Sequence, residues 1–347
     1  MKNVMESPVR NRPALSRRTF LVKSGLLTSA MLSAGLLLGP LLGSAHAQSD
    51  YPNKPVRVVV PFGPGGIADT SLRIVAEKLT GELGQQVIVE NQPGAGGIIA
   101  ANKVLKSDAD GYTLAFLTNG TAISVPLFKK LPFDPLSDFT PVSSVSFFDF
   151  VLATGAQSPF RTVTDVVKAA GDKADGLNLG TINVGSSQNL SAELLKSASG
   201  ANFAIIPYRQ TPDLLVGVLR NDVDLMIDNY AAVKAAIDDG RARAIATTGA
   251  ARSPALPDVP TVQESGIQSF EVTSWNGIFA PKGTPDEVVT KMNRALQTVL
   301  ATPDIKQRML DLGVEARAST PDELRARLQA DIAKWGDVIA KAGIERQ

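Results

Sequence analysis

The sequence has no cysteine, and its single histidine is His46. These two absences exclude whole classes of chemistry. A Ser-His-Asp triad or a Cys-His pair cannot be assembled in the body of the chain. A zinc centre, which draws its ligands mainly from His and Cys, lacks its donors. No Ser-x-x-Lys pair offers the hydrolase alternative, and no disulfide can form whatever the compartment. Carboxylates, Lys and Tyr are what remains for proton transfer, and no cofactor or metal is expected. Aromatic residues are scarce, at 5 %. Beyond residue 50 no apolar run is long enough to cross a bilayer.

The first fifty residues read separately from the rest. Ser16-Arg17-Arg18-Thr19-Phe20-Leu21 is a twin-arginine signature, followed by an uncharged Leu/Ala/Gly-rich stretch and the small-x-small site Ala45-His46-Ala47. We read residues 1–47 as an export signal removed after Ala47; an uncleaved anchor is the alternative. The absence of cysteine rules out a lipobox anchor. Cleavage also changes the charge. The leader takes six of the 35 basic residues and one of the 34 acidic ones, leaving 29 and 33, a net charge of −4. A mildly acidic chain without a basic patch is not built for nucleic acid. The lone histidine departs with the leader.

The remainder alternates short apolar runs with longer amphipathic segments. Strands are expected at 57–61, 86–90, 112–117, 150–154, 177–181, 204–207, 224–227 and 242–247, several of them apolar on both faces. Helical spacing links Ala68, Leu72, Val75, Ala76, Leu79 and Leu83. It recurs at Leu190, Leu194 and Ala198, at Leu214 and Val218, at Met292, Leu296 and Val299, and from Leu324 to Ile339. This alternation predicts an α/β fold with parallel sheets. Two apolar stretches, "VSFFDFVLATG" and "EVTSWNGIFA", look like crossings between two lobes. The expected division is 48–150 with 273–347 as the first domain and 151–272 as the second.

Three turns stand between a strand and a helix, where free N–H groups attract anions. Gly63-Pro64-Gly65-Gly66 fits neither the dinucleotide fingerprint nor the P-loop. Pro93-Gly94-Ala95-Gly96-Gly97 reads better as a close-packed turn than as a binding loop. Gly185-Ser186-Ser187-Gln188-Asn189 puts neutral hydroxyls and amides at a helix start, serving either a carboxylate ligand or simple capping. Asp69 and Asp228 invite an acid–base reading as a pair, although an acid near a helix start is also an ordinary use of its dipole. Tyr208 follows a strand and precedes a helix, within reach of an anion. Trp275 reads as core.

The order of these segments is more telling than any one of them. "YPNKPVRVVVPFGPGGIADTSLRIVAEKL", "GQQVIVENQPGAGGIIAANKV", "LPFDPLSDFTPV", "IPYRQTPDLL", "DLMIDN", "RSPALPDVPTVQESG" and "TSWNGIFAPKGTP" together resemble the Bug family of extracytoplasmic solute receptors of tripartite tricarboxylate transporters, from about Tyr51 to the end. The resemblance implies a two-lobed periplasmic binding fold of type II kind, each lobe a mainly parallel sheet flanked by helices, with two crossing strands as hinge. It implies a periplasmic protein, expected to be monomeric, that holds a small organic carboxylate and delivers it without turnover to membrane permease subunits. Carried onto this chain, the contact positions are Phe62, Gly65, Gly66 and Asp69 in the first loop and Thr118 and Asn119 in a second. Gly185, Ser186, Ser187 and Gln188 form a third, with Tyr208 and Asp228 lining the cleft. The chain departs from the family pattern at Gly63, at Asn189, where His is common, and at Arg209-Gln210, all in loops that choose the ligand. A sensor for a membrane kinase, or an enzyme using Asp69 and Asp228, would use the same cleft.

Overall fold

The segment "VRVVV" forms the strand β1 (Val56–Val60), with four of its five residues buried. Val56, Val58 and Val60 enter one core and Val59 another, as expected of a strand covered on both faces. In this computed structural model residues 51–347 are described; the twin-arginine motif and Ala47 lie outside the described residues.

From β1 the chain continues through α1 (Ile67–Leu83), β2 (Val87–Asn91), α2 (Ile98–Leu105), β3 (Thr113–Thr118) and α3 (Asn119–Leu127) to the long β4 (Phe139–Gly155). There follow α4 (Val163–Asp172), β5 (Leu177–Ile182), α5 (Ser187–Ser199), β6 (Phe203–Tyr208), α6 (Thr211–Leu219), β7 (Leu225–Asn229), α7 (Tyr230–Asp238) and β8 (Ala242–Thr247). The last part comprises β9 (Thr273–Pro281), α8 (Asp286–Ala301), α9 (Pro303–Asp311), the two-residue β10 (Glu315–Ala316) and α10 (Pro321–Ala342). All eight expected strands are present, with ends shifted by a residue or two except at β4.

Two sheets share one strand. In the first, β2, β1 and β3 run parallel, and β9, β4 and β10 add antiparallel neighbours. In the second, β6, β5 and β7 run parallel, while β4 lies antiparallel to β7 and β8. The parallel part of each lobe is therefore its strand–helix repeat, and the antiparallel part is the chain crossing and returning. Residue 149 of β4 makes the last pairing with β9, at Thr273, and Phe150 makes the first with β7, at Asn229.

Sequence spacing sees only the second half of β4, because its first half reads "FTPVSSVS". Pro cannot donate to a ladder and serine is a poor strand former. Tertiary contacts override both. The Ser143 hydroxyl donates to the Ser319 carbonyl at 3.1 Å and Ser144 to the Arg317 carbonyl at 2.7 Å, and two register shifts absorb the irregularity. Helix α10 closes the first lobe with Leu324, Leu328, Trp335 and Ile339 buried. Trp275 is fully buried, and its indole N–H donates to Asp331 at 2.6 Å. No helix among the described residues is long and apolar enough to cross a membrane.

Asp149 sits at the crossing, and its Oδ1 is buried without a partner among the described residues. Burial pushes its carboxyl up from 3.8 to about 6; the Thr273 hydroxyl opposes this, Glu271 and Glu315 add to it, and Arg317 pulls down. The folded protein thus holds this proton more tightly than the unfolded chain, so ionisation costs stability as pH rises from 3.8 to about 6. Asp149→Asn should remove that loss. Urea denaturation is expected to show the variant gaining on the order of 2 kcal/mol over the parent above this window, and little below it.

Candidate functional site

Helices α3 and α7 start directly after a strand and α1 and α5 after a short loop, at the end where α/β sheets gather ligands. Their N-termini meet at a cleft of about 1010 Å³ lined from both lobes. The first lobe contributes Phe62, Gly63, Gly66, Ile67, Ala68, Thr118 and Gly120, among others; the second contributes Val184, Gly185, Ser186, Ser187, Gln188 and Asn229. Among the described residues, no Asp, Glu, Lys or Arg lines it.

The first and third loops are built alike. Gly65 and Gly185 have φ of +87° and +80°, a conformation that glycine adopts at little cost. The next residue in each case, Gly66 or Ser186, is the N-cap. The third helical residue then turns its side chain back. Asp69 Oδ2 accepts the Gly65 N–H at 2.8 Å, and Asn189 Oδ1 accepts the Gly185 N–H at 3.0 Å. Gly65 and Gly185 are thereby fixed as loop formers, with their own N–H groups used inside the loop. The N–H groups left without helical acceptors are those of the first turn. Ile67 and Ala68 of α1, and Ser187 and Gln188 of α5, carry such groups and line the cleft.

Asp69 itself is buried and lies behind the wall. It also receives Arg73 Nε at 3.0 Å and Asn91 Nδ2 at 2.8 Å. Burial pushes its carboxyl up, but the bonds from Arg73, Gly65 and Asn91 and the Arg73 charge outweigh it and hold the group below its ordinary value. Asn91 also donates to the Phe62 carbonyl at 3.0 Å, which sets the mouth of the loop.

Asp228 likewise stands behind the cleft, fully buried, accepting from Gln188 Nε2 at 2.9 Å, the Asn229 N–H at 2.7 Å and the Thr211 hydroxyl. Burial raises its pKa, and these three bonds oppose the rise. Asp69 and Asp228 serve separate loops, and neither is on the cleft wall, so an acid–base pair acting in the cleft has no geometric support.

Tyr208 is also absent from the wall. Its ring packs on α6, where a Cβ at Gly217 would come within 2.4 Å of the hydroxyl. Asn119 is buried and acts one step back: its Nδ2 donates to Ser187 Oγ at 3.2 Å and its Oδ1 accepts the Trp335 indole N–H at 2.8 Å. Because Ser187 Oγ receives this bond, its own proton is free for another acceptor. Thr118 caps α3 by accepting the Gly120 N–H at 3.1 Å.

Seven expected residues, Phe62, Gly66, Thr118, Gly185, Ser186, Ser187 and Gln188, line the cleft, while Gly65, Asp69, Asn119, Tyr208 and Asp228 stand behind it. Sequence reasoning missed Phe128, Phe148, Asn229, Ser274 and Asn276, which line it from helix ends and crossing strands. It also underrated the second glycine cluster, since Gly94, Gly96 and Gly97 are on the wall. The signal was present in "VENQPGAGG", a segment that carries the family resemblance.

Residues 71–344 match the family described as Tripartite tricarboxylate transporter family receptor. Among solved structures, the periplasmic binding protein BugD is 35 % identical, with a TM-score of 0.70 over 86 % of this chain and 100 % of that one. R. palustris Rpa4515 with adipate is 33 % identical, with a TM-score of 0.73 over 84 % and 98 % of the two chains. MatC from Rhodopseudomonas palustris with bound malate is 33 % identical, with a TM-score of 0.69 over 83 % and 100 %.

Asp69→Ala should leave the Gly65 N–H without its acceptor and lower stability by about 2 kcal/mol in chemical denaturation. Arg73→Ala should cost less than about 1 kcal/mol, because the guanidinium is half-exposed and water replaces its partner.

Proposed function

The chain belongs to the tripartite tricarboxylate transporter receptor family, and from that premise we propose that it captures a small organic carboxylate between its lobes and hands it, unaltered, to the membrane permease subunits of such a transporter. The observation that carries this reading is the cleft wall. It offers first-turn N–H groups, a free Ser187 proton and helix N-termini, and among the described residues no charged side chain. Such a surface stabilises an anion through fixed dipoles. It has no group placed to exchange a proton with the ligand. The bound malate of MatC and the adipate of Rpa4515 support a carboxylate as the ligand.

The moving bodies in this reading are 48–150 with 273–347, and 151–272. Closure is a rotation about the crossing at residues 149–150 and 272–273, in the manner of hinge-bending receptors. The ligand favours the closed state by bonding to both lobes at once. Phe62, Gly66, Thr118, Ser186, Ser187 and Gln188 contact it. Gly65, Gly185, Asp69, Asn119 and Asp228 hold those contacts in place. The protein works in the periplasm, reached by the twin-arginine route through Arg17 and Arg18, with cleavage after Ala47.

Calorimetry against a panel of mono-, di- and tricarboxylates tests this reading, followed by mass analysis of the recovered ligand. Saturable binding with the ligand returned intact is the expected result; a product of altered mass, or no acid bound, overturns it. Ser187→Ala should weaken binding of the preferred acid about tenfold to a hundredfold, the worth of one hydrogen bond to a charged group.

A further inference from the structure

The receptor reading leaves the kind of acid open, and the cleft's charge and apolar surface together narrow it. This inference rests on that reading and refines it. Four helix N-termini face the site, each worth about half a unit of positive charge. That of α1 has Asp69, itself paired with Arg73, in its first turn, and that of α7 has Asp228 immediately before its N-cap Asn229. The first turns of α3 and α5 contain no acid. These two unopposed termini supply about one unit of charge. Among the described residues no Lys or Arg on the wall adds to it. A second or third carboxylate would be desolvated against neutral groups, which is unfavourable.

The same wall argues against a zwitterion. The two acids near the cleft are buried behind it, and each is already saturated by three protein groups. Among the described residues of the wall, no Asp or Glu side chain offers an ammonium group a counter-charge.

The apolar part of the wall is prominent. Four large hydrophobic side chains are exposed among the described residues, and two of them, Phe62 at 42 % and Val184 at 54 %, face this cleft from opposite lobes. Ile67, Phe128, Phe148 and Ile182 extend that surface inward. Apolar area left in water at the mouth of a site is stabilised once an apolar ligand body and lobe closure cover it.

We propose that the cleft selects acids with a single anionic head on an apolar body, a ring or an unsubstituted chain of similar size, over hydroxylated polyacids and amino acids. Phe62 and Val184 are the specificity-determining residues, one on each lobe, and they grip the body rather than the head.

The test is calorimetry of the purified protein with benzoate, phenylacetate and hexanoate against citrate, tartrate and glutamate. At least one of the first three is expected to bind tenfold or more tightly than any of the second three. Phe62→Ser, at an exposed position outside the core, should weaken that acid about tenfold. Citrate, tartrate or glutamate binding as tightly as the apolar acids overturns the inference while leaving the carboxylate-receptor reading standing. An unchanged affinity in Phe62→Ser also overturns the assigned grip. Binding of none of the six overturns the inference. If the wider panel then also fails, the receptor reading falls with it.

Discussion

The site depends on one hydrogen bond made twice. In each lobe a side chain three residues into a helix reaches back to the N–H of a left-handed glycine just before the N-cap. That bond closes the loop into a fixed turn and consumes the one donor that would otherwise compete for a ligand. It leaves the next donors, those of the first helical turn, facing the cleft. Without it the loop would be a flexible glycine segment whose ordering would have to be repaid by each ligand bound. One lobe uses a carboxylate and the other a neutral amide. The carboxylate brings a charge that pairs with the half-exposed Arg73, so the two loops are alike in geometry and different in potential.

Much of the fold was legible because local pattern and tertiary environment agree. The β1, β5 and β7 strands are mostly buried, and α1, α8 and α10 carry their core residues at helical spacing. The serine-rich half of β4 was not legible. Its polar side chains are satisfied by the segment around Arg317 and Ser319, more than a hundred and seventy residues away. No local rule can anticipate that partner. Crossing strand β9 was recognised as an apolar passage but not as a nine-residue strand, because its pairing partners are also distant in sequence.

The candidate site divides the same way. Turn chemistry drew attention to two of the loops that reach the cleft, and a glycine followed four residues later by Asp or Asn is a visible signature in both. Sequence could not tell which members of a loop face inward. Asp69, Asp228 and Tyr208 carry the chemistry that attracts attention in a sequence, yet all three point away from the wall. The wall is made instead by residues with little chemical signature: glycines, serines and four phenylalanines. A side chain that organises a binding surface and one that touches a ligand look identical on paper, and only the hydrogen-bond geometry separates them.

The bond from the Trp335 indole to Asn119, and from Asn119 on to Ser187, joins an aromatic ring in one lobe to a hydroxyl in the other. The chain has two tryptophans, and Trp275 is tied to Asp331 instead. A rotation of the lobes that stretches the Asn119–Ser187 link would alter the electrostatic surroundings of the Trp335 indole. If the lobes close as proposed, Trp335 would serve as a built-in optical gauge of that closure, readable from ultraviolet emission without a dye.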